Sequence, residues 1–147
     1  MLMGICILAV ACSKDANESE QQENAIIGKW ECVHSSVTRW VYEDTWNPET
    51  QSYTYTYHYE TFTDESEYGY MGHTYNFKSD GTVETSGGNT YTYTISDNKL
   101  LLAGGLIKYT IEKLSKSELI LTRTYSGIDH NGDSYTEPER YEYKKIN

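Results

Sequence analysis

The sequence predicts an all-β fold, an up-and-down antiparallel barrel of about eight strands. Three observations carry that expectation. From Ile27 onward apolar and polar residues alternate with a period of two, and no run sustains a helical period. Turn signals recur throughout that stretch, among them Asn47-Pro48, Asp80-Gly81, Gly87-Gly88, Asp97-Asn98, Gly104-Gly105 and Asn131-Gly132. The chain also holds 15 tyrosines and many threonines, residues that suit a pleated, half-buried surface.

A chain of 147 residues is expected to carry one domain, here placed at residues 26–147, large enough to bury a core without staples. The formal charge of −10 argues against a nucleic-acid partner, because phosphate binding needs a basic face. Cys6 and Cys12 fall in the leader, so Cys32 stands alone in the body and no internal disulfide framework is available. Its simplest role is a small core residue.

Met1 to Ala11 is apolar and uncharged, and a polar run begins at Cys12-Ser13-Lys14-Asp15. That apolar run is too short to span a bilayer and reads as a secretory signal. Leu8-Ala9-Val10-Ala11-Cys12 resembles the lipobox of bacterial lipoproteins. The resemblance implies that residues 1–12 are a lipoprotein signal ending at a diacylated Cys12, with the membrane as partner and the outer membrane of the cell envelope as location. An ordinary cleaved signal is the alternative. Residues 13–25 set Lys14 against Asp15, Glu18, Glu20 and Glu23 with no apolar period, and are expected to be a disordered acidic tether. Lys14-Asp15 is similar to tags that send some lipoproteins to the outer face, or is part of a plain solvated linker.

Gly28-Lys29-Trp30 heads the first strand, where Trp30, Cys32 and His34 alternate, and the run continues through Trp40 to Tyr42. After the Asn47-Pro48-Glu49-Thr50 turn, Tyr53, Tyr55, Tyr57 and Tyr59 share one face, so the two runs form a long hairpin. An acidic connection follows at 63–67. His73, Tyr75 and Phe77 then lead into the Asp80-Gly81 hairpin. Val83 with Thr85, Tyr91 with Tyr93 and Ile95, Leu100 to Leu102, and Ile107 with Tyr109 and Ile111 supply the next strands. Leu119, Leu121, Arg123 and Tyr125 share a face of the penultimate strand, and Tyr135 to Ile146 forms the last.

Gly28-Lys29-Trp30, the Phe77-to-Gly81 hairpin and the Ile111-to-Leu121 strand–turn–strand resemble the bacterial lipocalin-like domains of small lipoproteins. The likeness covers residues 27–147; residues 43–70 depart from it, being longer and richer in tyrosine. It implies an up-and-down barrel with one open end.

No catalytic motif is present. The four histidines are scattered without ligand spacing, so neither a metal nor a cofactor is expected, and no nucleophile has an identifiable base. Asp129-His130-Asn131-Gly132-Asp133 resembles the start of a calcium loop, but Asn-Gly is also the preferred hairpin turn. Glu65 and Glu67 read as solvated.

The candidate sites are two. Tyr75, Tyr93, Arg123 and Tyr125 are candidates for holding a small apolar ligand in the barrel's open end. Trp40, Trp46, Tyr53, Tyr55, Tyr57 and Tyr59 form either a structural ladder or an aromatic platform for a glycan or protein, as on an adhesion module. Gly28 and Trp30 are structural. An arginine on an inward face needs a partner. As in lipocalins, Arg123 or Arg140 would stack on the Trp30 indole; alternatively, Arg123-Thr124-Tyr125 resembles the Arg-x-Tyr that grips a carboxylate in fatty-acid-binding proteins. The expected protein is a non-enzymatic monomer.

Overall fold

In the computed structural model, residues 21–22, 24–64, 71–129 and 132–147 are described. The signal, Cys12, Glu65, Glu67, His130 and Asn131 lie outside them. Nine strands follow in order: β1 (Gly28–Asn47), β2 (Ser52–Thr63), β3 (Thr74–Phe77), β4 (Thr82–Thr85), β5 (Thr90–Ser96), β6 (Lys99–Leu102), β7 (Ile107–Leu114), β8 (Glu118–Ile128) and β9 (Ser134–Ile146). All pair antiparallel, in the order β2-β1-β3-β4-β5-β6-β7-β8-β9, with β1 pairing β9 to close the ring. The result is the expected eight-stranded barrel, with β2 as an extra strand outside it.

β1 is long enough to serve both parts. Gly28–Glu31 pairs with β3 and Lys29–Val37 with β9; Ser36–Asn47 pairs with β2, and beyond Val37 β1 runs on past its ladder with β9. Between β3 and β2, His73 and Asp64 take over the β1 edge: Cys32 N–H donates to the His73 carbonyl at 2.9 Å, and Ser35 N–H to Asp64 Oδ1 at 2.8 Å. On the other edge the pairing with β9 ends at Val37↔Glu139. The next residue of β9 is Pro138, which has no N–H to give to a ladder.

The alternation in β1 is broken by a bulge between Cys32 and His34. The inward phase therefore passes from Cys32 to Ser35 and Val37, which are buried, and His34 is thrown out to solvent. The simple alternation of Trp30, Cys32 and His34 does not allow for this extra residue.

One end of the barrel is closed. Trp30 and Ile26 are wholly buried there beside Phe77, and the Trp30 indole N–H donates to the Ile26 carbonyl at 2.6 Å. Residues 21–22 and 24–25, expected to belong to the tether, are part of this closure. Residues 21–22 and 24–26 are helical, Gln22 bonds Asn98 at 2.6 Å, and the Ala25 carbonyl accepts from Lys145 at 3.3 Å. A buried indole donor needs an acceptor, and the backbone before Ile27 supplies it. The cation over Trp30 is likewise neither Arg123 nor Arg140. Lys145 Nζ lies 5.0 Å from the ring centroid, because β9 brings Lys145 opposite Trp30. Arg140 points outward to Glu112 and Glu142.

Candidate functional site at the barrel mouth

Inside the barrel the closed half is filled by large side chains: Phe77, Tyr93, Leu100, Leu119, Leu121 and Tyr143 are all buried. The open half is not. A cavity of about 410 Å³ opens there, lined by His73, Tyr75, Tyr91, Ile107, Tyr109 and Arg123 and by residues of the β4–β5 turn. That volume and the aromatic lining fall within the range of small-molecule sites.

The wall of the mouth carries a buried ion-pair network. Val37, Arg39 and Val41 continue the inward phase of β1, and Glu137, Glu139 and Tyr141 that of β9. β8 places Arg123 opposite Glu139. The Glu139 side chain is 0% exposed; one carboxylate oxygen accepts from Arg123 Nε and from the Tyr141 hydroxyl at 2.8 Å, and the other forms an ion pair with Arg39 Nη2 at 2.6 Å. Glu137 completes the set, 3.8 Å from Arg39 and accepting the Trp40 N–H at 2.8 Å. Arg123 also lies over the Tyr109 and Tyr125 rings, at 5.2 and 4.9 Å.

The electrostatics follow from that geometry. Burial opposes ionisation of Glu139, but the Arg123 guanidinium and the Tyr141 hydroxyl outweigh it and hold the carboxyl below its ordinary value. Burial likewise disfavours the charge on Arg123, and the bond it donates to Glu139 reverses the effect, raising the guanidinium. Tyr141 is pushed up by burial and then by the Glu139 charge, so it stays a neutral donor. Two arginines face two glutamates, and the wall is charge-balanced.

The structure separates the residues that the sequence put together. Arg123 and Tyr75 line the cavity. Tyr93 does not: it packs on Phe77 with ring centroids 5.0 Å apart, and its hydroxyl donates to the Lys78 carbonyl at 2.9 Å, toward the closed end. Tyr125, 52% exposed, is not in the cavity lining but stacks on Arg123 in an adjoining groove with Leu106 and Lys108. The carboxylate slot on Arg123 is filled by Glu139, the protein's own acid. Arg39, Glu139 and Tyr141 went unnoticed in the sequence, though Glu139 lies in phase with the buried Tyr141 and Tyr143. At the β8–β9 turn, Asp129 Oδ1 accepts the Asp133 N–H at 2.8 Å, a turn bond within the calcium-loop candidate.

The second candidate lies outside the barrel, on the β1–β2 ribbon. Register sets Trp46 opposite Tyr53, Tyr42 opposite Tyr57 and Trp40 opposite Tyr59. Their rings touch in one zigzag: Tyr59–Trp40 4.6 Å, Trp40–Tyr57 5.9 Å, Tyr57–Tyr42 6.1 Å, Tyr42–Tyr55 6.0 Å, Tyr55–Tyr53 6.4 Å and Tyr53–Trp46 4.9 Å. All but the half-buried Trp40 are exposed. Tyr42, not foreseen as part of the patch, links its two halves.

The sequence model of the lipocalin-like domain family matches residues 26–121 of this chain, from the buried Ile26 to the middle of β8. No curated protein and no solved structure matches it significantly.

Proposed function

Because the chain belongs to the lipocalin-like domain family, we propose that it is a non-enzymatic binding protein whose ligand is a small, uncharged, largely apolar molecule held in the barrel mouth. The observation that carries the reading is the aromatic cavity above a filled floor. The charge balance of the wall argues for a neutral ligand, since a carboxylate would have to displace Glu139 from its pairing with two arginines and the Tyr141 hydroxyl. In this reading Cys12 carries the acyl chains and residues 13–20 lead from the outer membrane to the barrel. More than one acyl chain is needed for stable attachment.

Fluorescence titration with a neutral apolar probe, N-phenyl-1-naphthylamine, tests the site. Saturable one-to-one binding is expected, lost when Thr85→Trp fills the mouth. Fatty acids should compete poorly. A probe that does not bind, or that ignores the Thr85→Trp change, overturns the reading. Metabolic labelling with a fatty acid should tag the wild type and spare Cys12→Ser; equal labelling of both removes the anchor.

A further inference from the structure

We infer that β2 is a self-pairing edge, through which two copies of this chain join their aromatic ribbons into one four-stranded sheet. β2 stands at the end of the sheet order, and no strand among the described residues pairs with its outer edge along its 12 residues.

Natural edge strands of that length are normally guarded by lysines, prolines or bulges. β2 has none of these. Apart from its tyrosines it carries only His58 and Glu60 as ionisable groups, in a chain of net charge −10. Self-association through this strand meets little charge repulsion.

The occupant is a second copy because the strand is close to its own antiparallel complement. A two-fold axis through Thr56 sets Tyr55 opposite Tyr57 of the second copy, Tyr53 opposite its Tyr59 and Thr54 opposite its His58. Opposed residues in an antiparallel pair share a face, so the two aromatic zigzags become continuous, and such cross-strand pairs are stabilising. The interface is isologous and closes at two copies. It also answers a local need. An isolated two-stranded ribbon is marginal in water, and further strands are what make such a sheet stable.

Sedimentation equilibrium of the purified chain under reducing conditions, over a range of concentrations, should show a reversible monomer–dimer equilibrium. Thr56→Lys places two lysines on the axis and should weaken the dimer by about tenfold or more. Thr56→Glu should do the same, and mixing the two variants should restore association as a heterodimer. A wild type that stays monomeric overturns the proposal. So does a dimer indifferent to both variants, or a mixture that does not recover; each would mean that the aromatic face, or nothing, makes the contact. Probe binding in the barrel mouth reads out independently, since Thr56 is not in its lining.

Discussion

Arg123 on β8 and Glu139 on β9 face each other across the barrel wall and join through Nε to a carboxylate with no exposed surface. Arg39 and Tyr141 complete the grip. The pair braces the wall of the mouth, and the arginine is held by the protein's own acid. Arg123→Met should therefore lower stability by about 3–5 kcal/mol, the effect of leaving a buried acid short of its partner. Urea unfolding checks it. A loss below about 1 kcal/mol, within the range of an ordinary surface change, would mean that Glu139 finds its charge balance elsewhere.

Trp30→Ala should cost about 3–5 kcal/mol, because the indole is wholly buried and its removal leaves a cavity at the closed end. Gly28→Ala tests the same corner without touching the core. Gly28 has φ +124, and a Cβ there would lie 2.6 Å from Lys145 Cε, so the substitution strains the backbone and pushes Lys145 off the Trp30 ring. Thermal melts should place both variants below the wild type.

Two partly buried groups, His73 and Glu139, shape the pH profile of stability in different windows. Burial holds the His73 imidazole below its ordinary 6.5, so the unfolded chain takes up its proton first as the pH falls. Stability from this residue is complete above pH 6.5 and declines below it. Glu139, depressed below the ordinary 4.5, adds a second loss that begins only below that value. Urea midpoints should fall between pH 6.5 and 5 in the wild type, and His73→Gln should flatten that limb alone. A flat wild-type profile there would contradict the burial of His73.

The Cys32 thiol is buried, and burial together with the nearby acids pushes it up to about 12 despite bonds to the backbone that favour the thiolate. It should resist iodoacetamide at pH 8 in the folded chain and react once urea unfolds it. Peptide mapping separates it from Cys6 and Cys12. Rapid labelling of Cys32 without denaturant would mean that the β1 bulge opens in solution.

The sequence by itself determined the strands. Alternation from Ile27, the Asp80-Gly81 and Asp97-Asn98 turns and the spacing of the apolar runs specify an antiparallel barrel, because period two and turn chemistry are local properties that each segment carries alone. It likewise placed Tyr53, Tyr55, Tyr57 and Tyr59 on one face. Only the tertiary structure decided what the faces meet. The bulge after Cys32 turned His34 out and Ser35 in, a shift of one residue that no alternation predicts. Closure of β1 on β9 brought Lys145, not an arginine, to Trp30, and the β8–β9 register gave Arg123 to Glu139. It also put Tyr93 in the floor and Tyr109 at the mouth, although both read as inward tyrosines. Whether an inward residue fills the barrel or lines a cavity depends on its height along the axis, and that height is set by strand register between segments far apart in the chain.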